Sequence, residues 1–213
     1  MTERMPGQGL YAITDSQLLP DDRIVDAVEQ ALAGGAVMVQ YRDKRPDDEL
    51  RRSIAEQLLA ACQRWGRPLI VNDDVALARQ IGADGVHLGL EDSTPEEARE
   101  QLGPGAIIGV TCHDDLERAR EQASGSADYL AFGRFFPSAT KGSAPSASAD
   151  VLGQAGALGL PRVAIGGITT DNAPSLIRAG ADLIAVIHGL FSTQDIEATA
   201  REFTQLFATG ASS

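Results

Sequence analysis

The chain has 213 residues, 43% of them hydrophobic and 5% aromatic, enough apolar side chain for one sizeable core. Thirty acidic against eighteen basic residues give a net charge of -12, which argues against nucleic acid or an anionic membrane as the main partner. A small anionic substrate stays open, because a few local cations decide that. The two cysteines, Cys62 and Cys112, stand in no metal-ligand or C-x-x-C spacing. No apolar run reaches membrane-spanning length and the first residues carry no signal-like segment, so a reducing, cytoplasmic setting is expected.

In chain order, Leu10-Tyr11-Ala12-Ile13 is a short apolar strand ending in Thr14-Asp15, and 22–33 follows with helical spacing until Gly34-Gly35 stops it. A second strand, 36–41, runs into the charged cluster Arg42-Asp43-Lys44-Arg45, and a longer helix spans 47–65. Leu69-Ile70-Val71 leads to Asn72-Asp73-Asp74, then to a short helix over 75–81 and to the strand Gly85-Val86-His87-Leu88. Thr94-Pro95-Glu96-Glu97 opens the next helix with a cap residue, a proline at the first helical position and acids in the first turn. A fifth strand at 106–110 precedes a helix over 114–123, and Tyr129-Leu130-Ala131-Phe132 is the sixth strand, with a helix expected between 148 and 156. Strands at 161–165 and 183–187 flank a helix over 171–179, and an amphipathic helix over 193–207 leaves a tail from Thr209 that reads as disordered.

Eight short β-branched-rich strands thus alternate with eight helical segments. Strands so uniformly apolar are covered on both faces, as in a parallel sheet. Eight repeats in about 200 residues predict one closed α/β domain, a (β/α)8 TIM barrel spanning 1–213, and no Pro/Gly/Ser-rich linker divides it.

In such a barrel the chemistry collects where the strands end. Those positions hold Gln40, Arg42 and Lys44; Asn72 and Asp73; His87 and Asp92; Thr111 and His113; and, after the sixth strand, Ser138, Thr140 and Lys141. Hydroxyls and a lysine are what a polyphosphate needs, although a solvated polar loop has the same composition. Arg42 and Lys44, two residues apart, would point with Gln40 to one side, unless Asp43, Arg45, Asp47 and Asp48 neutralise the cluster. Asp73 and Asp92 suit Mg2+, which binds one or two acids plus water and substrate oxygens; the alternatives are a helix cap and a solvated acid. Gly166-Gly167 and Ile187-His188-Gly189 occupy the two loops that form a phosphate site in many barrels, or are simply tight turns. Cys112 lacks a partner base and reads as a small buried side chain, and Trp65, ending a helix, reads as packing.

With these residues assembled, the sequence resembles the thiamine phosphate synthases. The matching stretches are Leu10-Tyr11-Ala12-Ile13-Thr14-Asp15, Val39-Gln40-Tyr41-Arg42-Asp43-Lys44, Val71-Asn72-Asp73, Gly82-Ala83-Asp84-Gly85-Val86-His87-Leu88-Gly89 with Glu91-Asp92, Gly109-Val110-Thr111-Cys112-His113, Phe136-Pro137-Ser138-Ala139-Thr140-Lys141 and Ala164-Ile165-Gly166-Gly167-Ile168. The resemblance implies transfer of a hydroxymethylpyrimidine group from its diphosphate to the ring nitrogen of a thiazole phosphate. It implies that Arg42, Lys44, Asn72 and Lys141 hold the diphosphate, that Asp73 and Asp92 hold Mg2+, and that Gln40 contacts the pyrimidine. Ser138 and Thr140 would serve the thiazole side and the leaving group, and Gly167 with Ile187 and His188 the thiazole phosphate. Arg42, Lys44, Thr111 and Lys141 would act in catalysis.

This chain departs from the commoner pattern at Thr111 and His188 (serines), Ser138 (threonine), Leu90 (glutamine) and Arg134 (proline). Two rivals remain at this level. A thiazole tautomerase on the same barrel would use a histidine such as His113 and need no diphosphate set. A non-catalytic binder of phosphate ligands would bind thiazole phosphate without turnover. The sequence leaves the oligomeric state open.

Overall fold

The computed structural model describes residues 5–137 and 146–210, and side chains within those ranges up to residue 208. Its strands are β1 (Gly9–Ile13), β2 (Met38–Tyr41), β3 (Leu69–Asn72), β4 (Gly85–Leu88), β5 (Ile107–His113), β6 (Tyr129–Gly133), β7 (Arg162–Ile165) and β8 (Leu183–Val186). All pair in parallel and in sequence order, and β8 returns to β1, so the sheet closes into the expected barrel. Between them lie α1 (Ile24–Ala33), α2 (Asp48–Arg64), α3 (Val75–Ile81), α4 (Pro95–Leu102), α5 (Leu116–Ala123), α6 (Asp150–Ala155) and α7 (Ala173–Arg178).

Alternation along each strand divides the core in two. Tyr11, Ile13, Met38, Ile70, Ile107 and Tyr129 pack together in the lumen, while Leu10, Ala12, Val39, Val71 and Leu130 face the helical layer. Gly109 is glycine because the lumen is full: a Cβ there would lie 1.9 Å from the Tyr129 ring. Both faces of each strand are therefore buried, which is why the strands read as unbroken apolar runs.

The helices begin where their caps are. Asp47, Asp74 and Asp115 each accept backbone N–H groups at the start of α2, α3 and α5, and Thr94 with Glu97 forms a reciprocal capping box on α4. After β8 the chain departs from expectation. A short helix α8 (His188–Phe191) intervenes, and the last helix, α9 (Ile196–Gly210), starts at Ile196 instead of Thr193. Asp195 accounts for the shift by accepting the Ala198 N–H at 2.8 Å, an N-terminal cap. The helix carries on to Gly210, into the stretch read as a disordered tail. Trp65, read as packing, is instead 47% exposed, because it is the residue that ends α2 and turns to solvent.

At the opposite end of the barrel a device repeats every second strand. Asp84, Asp128 and Asp182, each preceded by alanine, donate their N–H to Leu69, Ile108 and Arg162 carbonyls. Their carboxylates accept the N–H of the same three residues at 2.8–2.9 Å. Asp128 and Asp182 add ion pairs, to Arg99 at 2.6 Å and to Arg162 at 2.8 Å. Asp128 is 5% exposed, so losing its carboxylate would strand the Ile108 N–H and leave the Arg99 guanidinium with backbone carbonyls but without its counter-charge. Asp128→Ala is expected to cost about 3 kcal/mol, read as a lower denaturation midpoint with turnover per folded molecule unchanged.

Candidate active site

The lumen series of side chains, followed to the strand ends, turns from apolar to polar. Met38 is succeeded by Gln40, Ile70 by Asn72, and Ile107 by Gly109 and Thr111, while His87 sits across from Asn72 in the β3–β4 register. Alternation alone places these four polar groups on the same inner face, above the apolar plug.

Arg42 and Lys44 do not stay together. The Arg42 guanidinium reaches back to Asp15 at 2.7 Å, and its backbone N–H donates to Thr14 Oγ1 at 3.1 Å. Asp15 is 4% exposed and also accepts the Gln17 N–H, so Arg42 is braced by the Thr14-Asp15 end of β1. Lys44 swings the other way and pairs with Asp73. That pair is exposed on the lysine side, so it contributes little stability and exchanges readily for another anion. The neighbouring acids are engaged elsewhere. Arg45 clamps Asp43 at 2.6 Å, with the Tyr41 hydroxyl donating at 3.0 Å, and Asp47 caps α2. Burial pushes Asp43 up, but the Arg45 hydrogen bonds outweigh it and bring it down to about 2.

Asp73 sits at the tip of β3 with φ +62° and donates its N–H to the His87 carbonyl at 2.8 Å. It is not the cap of α3; Asp74 is, and Asp74 also pairs with Arg51 at 2.8 Å. The Asp73 carboxylate is thereby left to the mouth, where Asp92 joins it from the loop after β4. Asp92 accepts the Gly89 N–H at 2.6 Å and shares a hydrogen bond with Asp73. Burial pushes Asp73 up, yet the hydrogen bonds from Lys44 and Asp92 hold it below its ordinary value. Burial also raises Asp92, and the facing Asp73 adds to this, against the Gly89 N–H. Of the two, Asp92 is the carboxyl that takes up a proton more readily. Lys44, Asn72, Asp73 and Ser93 line a cleft on this side of the rim.

Across the mouth, the loops after β7 and β8 interlock through glycines. Gly167 has φ +65° and a Cβ there would lie 2.4 Å from the Pro137 carbonyl oxygen. A Cβ on Gly189 would lie 2.2 Å from the Ile168 carbonyl oxygen. Gly166 accepts the Phe136 N–H at 3.0 Å, which seats the loop after β6 directly against Gly167. Ile187 immediately precedes α8 and His188 is its first residue. Ser138, Thr140 and Lys141 lie outside the described residues.

His113 follows a bulge in β5, is exposed, and its Nδ1 lies 3.3 Å from the Gly133 carbonyl oxygen. Cys62 and Cys112 are buried, and burial pushes each thiol up to about 12, which leaves both inert. The sequence reading missed Tyr11 and Tyr129. Both hydroxyls lie in the lumen, with Tyr11 Oη 2.7 Å from the Gln40 Nε2 that donates to it and 3.0 Å from Tyr129 Oη.

A closed (β/α)8 barrel with an arginine, a lysine and a carboxylate pair on one side of its mouth and interlocked glycine loops on the other has the parts of an enzyme for phosphorylated substrates. Known proteins make that class specific. The family model described as Thiamine monophosphate synthase matches residues 10–190. A thiamine-phosphate synthase of Marinobacter nauticus is 56% identical over 202 residues, covering 94% of this chain and 91% of its own. That of Methylobacillus flagellatus is 52% identical, covering 95% and 96%. The solved thiamine phosphate pyrophosphorylase from Pyrococcus furiosus superposes with a TM-score of 0.86 at 34% identity, covering 96% of this chain and 97% of that one. The chain belongs to the thiamine monophosphate synthase family, transferases that form thiamine monophosphate.

Proposed function

We propose that this protein joins 4-amino-2-methyl-5-hydroxymethylpyrimidine diphosphate to 4-methyl-5-(2-phosphoethyl)thiazole, giving thiamine monophosphate and pyrophosphate. The observation that carries this reading is the grouping of Lys44, Asp73 and Asp92 beside Asn72, with Arg42 braced by Asp15 at the neighbouring strand end. Arg42, Lys44 and Asn72, with Lys141, would bind the diphosphate. Gln40 donates one amide hydrogen to Tyr11, and its other hydrogen and its oxygen are the groups that would read the pyrimidine. Gly167, Ile187 and His188 would take the thiazole phosphate, and Ser138 and Thr140 the thiazole and the leaving group.

Two adjacent carboxylates, with no cluster of three or more acidic, histidine or cysteine ligands among the described residues, suit Mg2+ better than a transition metal. Asp73 and Asp92 would hold it; bound there with the diphosphate, it would neutralise charge on the departing phosphate oxygens. Protons compete with a metal for these two carboxylates, so affinity should weaken as pH falls.

The amino-pyrimidine donates electrons into its exocyclic CH2, so the C–O bond to the diphosphate can break before the thiazole nitrogen attacks. No side-chain nucleophile is required. The chain's work is to stabilise the departing anion with Arg42, Lys44, Thr111 and Lys141 and to keep water from the cation. We further place the enzyme in the reducing cytoplasm, acting on small molecules and not on nucleic acid or membrane. The test is pyrophosphate release from the pyrimidine diphosphate. It is expected to require both thiazole phosphate and Mg2+ and to yield one thiamine monophosphate per pyrophosphate; stoichiometric thiazole phosphate binding without release would refute it.

A further inference from the structure

A single file of hydrogen bonds crosses the lumen beneath the site. Gln40 Nε2 donates to Tyr11 Oη at 2.7 Å, Tyr11 Oη lies 3.0 Å from Tyr129 Oη, Tyr129 Oη lies 2.9 Å from His87 Nδ1, and His87 Nε2 lies 3.0 Å from Thr111 Oγ1. It passes through five strands, β2, β1, β6, β4 and β5, and ends on the hydroxyl at the mouth. Packing fixes it: the two tyrosine rings meet edge to face, the His87 ring stacks on Tyr129 at 18°, and Gly109 leaves the room that Tyr129 fills.

With the Gln40 amide placed so that Nε2 faces Tyr11, counting hydrogens gives the file a direction. Each hydroxyl has one hydrogen to give, and a neutral imidazole has one N–H. Each His87 ring nitrogen faces a hydroxyl, Tyr129 on Nδ1 and Thr111 on Nε2, so in the neutral ring one nitrogen donates and the other accepts. If the order ran from Thr111 towards Gln40, Tyr11 would accept from Tyr129 while its own hydrogen met the Gln40 N–H. That leaves an unpaired donor on a residue that is 1% exposed, an unfavourable arrangement in a buried lumen. If the order runs from Gln40 outwards, every internal hydrogen has an acceptor. Tyr11 then donates to Tyr129, Tyr129 donates to His87 Nδ1, His87 carries its hydrogen on Nε2 and donates to Thr111, and the Thr111 hydrogen alone points onward.

We infer that Tyr129 and His87 are positioning residues that hold the Thr111 hydroxyl as a hydrogen-bond donor, aimed at an oxygen of the departing diphosphate. The identity of that oxygen rests on the reaction proposed above; the donor direction does not. Accepting from His87 uses one lone pair of Thr111 Oγ1 and leaves its single hydrogen free to be donated outward.

The direction is tested without turnover. In protein labelled with 15N-histidine and free of substrates, the His87 resonances, identified by their loss in His87→Gln, are expected to show a pyridine-type Nδ1 and a pyrrole-type Nε2–H. The opposite tautomer would overturn the inference. Kinetics test the positioning. Tyr129→Phe keeps the ring and removes the one hydrogen that orders His87, so kcat is expected to fall about 10-fold or more with KM changed less than about 2-fold. In a Thr111→Val background the same change should have no further effect on kcat, because the group it positions is gone. Equal fold losses in both backgrounds would assign Tyr129 a structural role and sink the proposal. A wild-type protein that releases no pyrophosphate would instead refute the reaction while leaving the tautomer result standing.

Discussion

Asp73→Asn is expected to lower turnover on the order of 100-fold and to move Mg2+ half-saturation to much higher concentration, with the denaturation midpoint nearly unchanged. The substitution is chosen for what it preserves. Asp73 has φ +62°, a left-handed backbone that asparagine tolerates as well as aspartate does. Its N–H bond to the His87 carbonyl belongs to the backbone and survives. The cap of α3 is carried by Asp74, so the helix start is untouched. What is lost is the charge that faces Asp92 and pairs with Lys44, and that pair is exposed enough to contribute little to stability.

The adjacent residue supplies the opposite result. Asp74→Ala removes the cap on the Leu77 N–H and the ion pair to Arg51, so it should cost about 1–2 kcal/mol while the Mg2+ response stays as in the wild type. Two neighbouring aspartates would thus separate the proposed metal binding from folding. If Asp73→Asn keeps the wild-type Mg2+ curve, the carboxylate pair is not the metal site.

These neighbours also show what the sequence could and could not say. The barrel was legible because its physics is periodic: eight doubly covered strands leave apolar runs, and glycine stops, proline starts and capping acids punctuate the helices. Whether Asp73 or Asp74 caps α3 was not legible, since both are good caps and one residue of offset at the strand end decides between them. The charged cluster after β2 reads as one patch, yet tertiary partners divide it, with Arg42 drawn to Asp15, Lys44 to Asp73 and Arg45 to Asp43. Tyr11 and Tyr129 were hidden for a different reason. A tyrosine in an apolar strand counts as hydrophobic, and its hydroxyl matters only once the barrel closes β1 against the far wall at β6. Strand parity was the available signal, because Tyr11 shares the lumen side with Ile13, and Gln40 shares it with Met38. The extra helix α8 left no such trace, since four residues are too few to show a period.

Arg42→Ala should be the other severe lesion, with turnover lower on the order of 100-fold and a stability loss of about 2 kcal/mol. Both effects come from the same geometry. The Arg42 side chain is one-quarter exposed at the mouth, while the side chain of its partner Asp15 is buried beneath it. Deleting the arginine leaves the Asp15 carboxylate with the Gln17 N–H but without its counter-charge, so the folded state loses a partner for a buried anion. It also turns a braced cation beside the proposed diphosphate position into an uncompensated negative charge, which would repel the substrate as well as fail to hold it. Asp15→Asn distinguishes the two contributions. It removes the brace and keeps the cation, so turnover should fall far less than in Arg42→Ala, with the loss appearing mainly as a higher KM for the pyrimidine diphosphate. Arg42→Lys should recover part of the binding and little of the rate, because a single ammonium cannot bond Asp15 and two phosphate oxygens at once. Measured per folded molecule, an Arg42→Ala enzyme with wild-type turnover would make this arginine a structural strut and remove it from the diphosphate site.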